Sequence, residues 1–151
     1  MIEINWALVG MHSINLAAAY VLALPIAFNR EAKARGAGLR TFPLVSIAAC
    51  GFVLIGIDIF DGSEPEARVV AGIITGIGFI GGGAILKNDN KVSGTATAAS
   101  IWATGAIGIA VAYQRYEVAL LVSIITFLTL QFGYNAKQAV RDSDVEKEEK
   151  S

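Results

Sequence analysis

The side chains able to do chemistry in this 151-residue sequence are few and stand far apart. There is one cysteine, Cys50, which closes no internal disulfide, and one histidine, His12, too little for a zinc cluster. No nucleophile is spaced to meet a base and no two carboxylates are spaced for acid–base work, so the chain reads as no enzyme, with no cofactor and no metal site. His12 and Asn15, three residues apart in an apolar run, form a short polar stripe suited to hydrogen bonding between helices. Asp58 and Arg68 lie at the edges of two further apolar runs, where ionisable groups are functional candidates by default. An anion at a helix C-terminus and a cation at a helix N-terminus both oppose the helix dipole, so an Asp58–Arg68 pair would relieve both, with Glu66 competing for the arginine.

One glycine string demands separate weighing. Gly76-Ile77-Gly78-Phe79-Ile80-Gly81 matches the dinucleotide pattern G-x-G-x-x-G. That pattern works only after a strand, at a solvent-reached helix N-terminus, with an acid about 20 residues on. Here it lies inside an uncharged run, and position 101 is isoleucine. Phosphate binding is the wrong chemistry for it.

The elements that carry these residues follow from charge. Residues 5–28, 41–57, 69–86, 92–114 and 118–136 hold no Asp, Glu, Lys or Arg, which is two-thirds of the chain. A water-soluble helix needs charge on its outer face, whereas about 20 apolar residues cross roughly 30 Å of hydrocarbon. The pattern predicts an all-α, polytopic membrane helix bundle of about five transmembrane helices, at about 6–28, 42–60, 68–86, 95–113 and 117–135. The charged segment 136–151 has too little apolar surface to fold alone and is expected to be a solvated, disordered tail, with no folded domain after the fifth helix.

Loop charge sets direction. Arg30, Lys33, Arg35, Arg40, Lys87, Lys91, Lys137, Arg141, Lys147 and Lys150 fall on one side, and only Arg68 and Arg115 on the other. Lys and Arg are retained in the cytoplasm, so the N-terminus is expected outside and the C-terminus inside. The net charge of −1 arises from segregated blocks and offers no basic face for nucleic acid. The partner dictated by composition is the lipid bilayer.

In lipid, helices associate where small residues let backbones approach. Gly72-xxx-Gly76 with Gly83 on one side of the third helix, and Gly78-xxx-Gly82 on the other, predict two neighbours and a central position for that helix. The fourth helix is rich in small residues to match, with Gly94, Thr97, Gly105 and Gly108 as packing positions. Trp102, mid-span, is expected to pack inside the bundle. Such faces also suit a homo-oligomer or contact with another membrane protein.

Three stretches together carry a resemblance: the loop with Arg30 that ends Gly36-Ala37-Gly38-Leu39-Arg40-Thr41, the run from Gly72 to Lys87, and the run from Val92 to Ala112. They resemble the N-terminal membrane domain of the MgtC/SapB family over about residues 29–112. The resemblance implies a bacterial inner-membrane protein of about five spans, from a family linked to magnesium limitation, acid stress and intracellular survival. It implies a modulator more than a pump, and, for some members, contact with the F-type ATP synthase. Arg30, Gly38, Arg40 and Thr41 are the inner-loop positions that match. Two functions follow as expectations: a non-enzymatic protein that presents a small-residue helix surface, or a transporter or channel component whose third and fourth helices line a path for an ion or small solute.

Overall fold

A computed structural model describes residues 4–33, 36–88 and 91–149. Five helices form: α1 (Trp6–Lys33), α2 (Thr41–Ile59), α3 (Ser63–Gly82), α4 (Thr95–Ala112) and α5 (Tyr116–Glu149). Between α3 and α4 the chain makes a two-stranded antiparallel hairpin, β1 (Leu86–Asn88) with β2 (Lys91–Ser93), in which Lys87 faces Val92. Asn5 starts α1, because its Oδ1 accepts the otherwise orphaned N–H groups of Ala7 and Leu8 at 3.1 and 3.2 Å.

Among the described residues four helices are long and apolar enough to cross a membrane: α1, α2, α4 and α5 over Tyr116–Gly133. The large apolar side chains on their outer faces are exposed, Trp6 at 75% and Ile14 at 67% among them, as a lipid-solvated surface requires. The third helix begins five residues before the predicted start, taking Glu64, Glu66 and Arg68 into its first turns. Its uncharged stretch, 69–82, is then about 21 Å long, shorter than the roughly 30 Å of hydrocarbon. It nevertheless runs beside α4 from one end to the other: Glu66 meets Tyr113 after the end of α4, and Gly81 meets Ala98 at its start.

The centre of the bundle is α4, not α3. Eleven of its eighteen residues are buried, against Ile77 and Gly81 alone in α3, and α4 touches each of the other four helices. Small residues on every side of α4 let several backbones come close at once, whereas α3 is packed along one edge. The same geometry overturns the placement of Trp102. It lies outside the core at 55% exposure, because the close contacts of α4 leave room only for alanine, glycine, hydroxyls and a few aliphatic side chains. The loop preceding α4 is tight: Gly94 has φ +85°, and a Cβ there would overlap the Ala84 carbonyl oxygen.

The fifth helix also exceeds its predicted end. It continues to Glu149, through the segment read as an unfolded tail. After Gly133 the sequence has neither Gly nor Pro and is rich in Ala, Gln, Lys, Arg and Glu, all strong helix formers, so a helix already nucleated in the bundle propagates.

Candidate functional site

The polar residues collect in two layers. One lies around His12 and the other around Arg30, eighteen residues apart on the same helix, hence about 27 Å along its axis. That is close to the thickness of the hydrocarbon, so the layers sit at its two boundaries.

In the Arg30 layer, Arg30 Nη2 donates to Thr97 Oγ1 at 2.8 Å, joining α1 to α4. Gln131 Oε1, from α5, accepts from Asn29 Nδ2 at 2.8 Å and from Lys33 Nζ at 2.6 Å. Asn29 and Thr97 are each only 6% exposed. Arg30 Nε and Asn29 Oδ1 are buried with no hydrogen-bond partner, and among the described residues Arg30 forms no ion pair. The loop that follows is held by Glu31, whose Oε2 accepts from Leu39 N at 2.9 Å. Gly38 makes this possible, since a Cβ would overlap that carboxylate. The Gly38 carbonyl in turn accepts from Thr41 N and Phe42 N and starts α2. Sequence reasoning missed Glu31 and Gln131. Gln131 had a signal, being a polar amide within an uncharged run.

In the His12 layer, His12 Nε2 lies 3.5 Å from Asp58 Oδ2, across α1 and α2. Asn15 Oδ1 accepts from the Tyr116 hydroxyl at 2.5 Å, and the Tyr113 hydroxyl donates to Glu66 Oε2 at 3.4 Å. Burial, then the negative charge of Glu66 and its hydrogen bond, push the Tyr113 phenol above its ordinary value. A cavity of about 210 Å³ opens among His12, Asn15, Asp58 and Tyr113. The structure does not join Asp58 to Arg68. Arg68 is taken by Glu64, one helical turn away at 2.8 Å, and both are largely exposed. An i,i+4 partner on the same helix is geometrically nearer than a carboxylate on the preceding one.

Between the layers, hydroxyls are spent on backbone. Ser100 and Thr104 donate to the Ala96 and Ser100 carbonyls at 2.7 Å each, and Ser123 donates to Leu22 O at 2.6 Å. Ser46 Oγ is buried without a partner. Around them pack Val53, Ile101, Ile107 and Val111.

The glycines divide into two kinds. A Cβ at Gly108 would overlap the Ser46 carbonyl, one at Gly105 would overlap the Ile77 side chain, and one at Gly81 would lie 3.0 Å from Ala98 O. These are the contacts that let α4 sit between α2 and α3. A Cβ at Gly72, Gly76, Gly78 or Gly82 has nothing within 4 Å, so among the described residues no helix fills the space expected to be filled there, and Gly83 meets only carbonyls of its own turn. Gly72 and Gly76 instead line an apolar groove of about 820 Å³ between α2 and α3, with Arg40 and Thr41 at one end. Gly78 and Gly82 continue a separate exposed line of small residues, Ala71, Thr75, Gly78 and Gly82, along one side of α3.

Comparison with known proteins bears on this arrangement. The model of the MgtC family matches residues 16–139. Among curated relatives, the putative magnesium transporter YhiD of Escherichia coli is 34% identical over 126 residues, covering 78% of this chain and 58% of its own length. Protein SrpB of Synechococcus elongatus is 33% identical over 141 residues, 85% of this chain and 77% of its own. Protein MgtC of Brucella abortus is 42% identical over 94 residues, 62% of this chain and 39% of its own. The chain thus spans little more than half the length of YhiD. No solved structure matches.

Proposed function

The chain belongs to the MgtC family and is a multi-pass membrane protein, and from that premise we propose that it works without catalysis, by presenting α3 to a transmembrane helix of another membrane protein. The observation that carries this is the exposed line Ala71, Thr75, Gly78 and Gly82, with open space around both glycines. In lipid a small-residue face gains nothing until a second backbone approaches it. The chain's tightest glycine contacts between helices lie elsewhere, at Gly81, Gly105 and Gly108. We place the protein in the bacterial inner membrane with its N-terminus outside, as the loop charges favour. The membrane sector of the F-type ATP synthase is the first partner to test, on family resemblance, under low magnesium or acid.

The decisive experiment crosslinks the protein in native membranes through a photoreactive group at Thr75 and identifies the partner by mass. Paired Gly78→Leu and Gly82→Leu changes should abolish that adduct and leave the purified protein folded, since a Cβ at either position has nothing within 4 Å among the described residues. An unchanged adduct in the double variant overturns the reading.

One relative's name, a putative magnesium transporter, and the cavity at His12 and Asp58 favour a second reading, an ion or solute path. Against it, a divalent cation reaching the other boundary would meet Arg30, which forms no ion pair among the described residues. In sealed vesicles we expect no magnesium flux. Reproducible flux lost on Asp58→Asn would establish the path instead.

A further inference from the structure

We infer that the groove between α2 and α3 is a binding site for an anionic phospholipid of the bilayer, one acyl chain lying in the groove and the phosphate resting on Arg40. This site is on a different side of α3 from the line of Gly78 and Gly82 and stands independently of the partner proposed above.

Charge places the headgroup. The lining holds one charged residue, Arg40, at one end, with Thr41 beside it, and every other lining residue is apolar or glycine. Arg40 is exposed and forms no ion pair among the described residues. It directly precedes α2, so the positive end of that helix's dipole reinforces it. This end of α2 belongs to the same boundary as Arg30 and Lys33, which is where a phosphate lies when its acyl chain is in the hydrocarbon.

Shape places the chain. From Arg40 to Ile55 the groove follows α2 for fifteen residues, about 22 Å, which exceeds the roughly 15 Å of one leaflet and so accommodates an extended acyl chain. The α3 wall is cut away at Gly72 and Gly76. The α2 wall is uneven, with Leu44, Phe52 and Ile55 more than half exposed. Ala48 and Ala49 lie between those larger side chains, and a flexible acyl chain conforms to a wall that alternates large and small.

The test uses the full chain in nanodiscs of phosphatidylcholine with a minority of phosphatidylglycerol, followed by native mass spectrometry of retained lipid. The wild type should retain phosphatidylglycerol above its share of the bilayer. Arg40→Gln should lower that retention about fivefold, and Arg115→Gln, at the opposite boundary, should leave it unchanged. Gly76→Leu, whose Cβ has nothing within 4 Å among the described residues, should fill the groove and release both lipids. Retention in the bulk ratio, or unchanged retention in Arg40→Gln, overturns the proposal. So does a dimer that Gly76→Leu converts to monomer, for then a second copy occupies the groove.

Discussion

Arg30 near the end of α1 donates from Nη2 to the Thr97 hydroxyl near the start of α4, 2.8 Å away and 67 residues distant in sequence. The bond ties the first helix to the central one at the boundary where both meet the inner loop. Thr97 is nearly inaccessible, and Arg30 keeps a second buried donor, Nε, without a partner. Removing the hydroxyl leaves a half-buried cation with less to bind. Thr97→Val should therefore destabilise the folded protein by about 1 to 3 kcal/mol, read from unfolding in mixed micelles. Arg30→Met combined with Thr97→Val should cost less than the two single changes summed. Strict additivity would show that the two side chains are not coupled.

Glycine-to-alanine changes should rank by what the new methyl meets. At Gly108 it meets the Ser46 backbone carbonyl, which cannot move without moving α2, so about 3 kcal/mol or more is expected. At Gly105 it meets the end of Ile77, which can change rotamer, so about 1 kcal/mol or less is expected. At Gly78 it meets nothing, and the gain in helix propensity should stabilise by about 0.5 to 1 kcal/mol. Thermal unfolding of the three variants in one detergent checks the order.

Tyr113 should titrate above an ordinary tyrosine, because burial and the Glu66 carboxylate both favour the neutral phenol. A phenol whose folded value is raised stabilises the fold fully below its unfolded value, near 10. That contribution disappears as pH rises through the folded value. Ultraviolet absorbance titration should show a raised tyrosine titration vanish in Tyr113→Phe and move down in Glu66→Gln. If Glu66→Gln leaves it in place, the carboxylate is not responsible.

Topology reporters placed after Lys33, Ser63, Asn90, Arg115 and Arg141 should read inside, outside, inside, outside and inside. The informative pair is Ser63 and Asn90, which bracket α3, the helix with the shortest uncharged stretch. The same side for both would mean that α3 enters the bilayer without crossing it.

Much of the architecture is legible from charge alone. An uncharged run of about 20 residues has one stable solution in lipid, and the lengths of α1, α2 and α4 follow within a few residues. Helix three is less legible, because Glu64, Glu66 and Arg68 suggest a loop although they suit an exposed first turn. Their charge says where water begins, which is not the same as where the helix begins. The candidate sites are legible in type and not in pairing. His12, Asn15, Asp58, Arg30 and Thr97 stand out as polar residues near apolar runs, but Gln131 as the shared acceptor and Glu31 as the loop's anchor depend on contacts between separate segments.

Composition by itself determined that lipid surrounds this chain and that it is helical, because hydration of charge and satisfaction of backbone hydrogen bonds are properties of each segment taken alone. Only the tertiary structure decided that α4 is central, that Asp58 faces His12 while Arg68 turns to Glu64, and which glycines are filled. Glycine density marks a helix as approachable from several sides. Which sides are taken depends on where the neighbouring helices lie, and that is set by all five packing together.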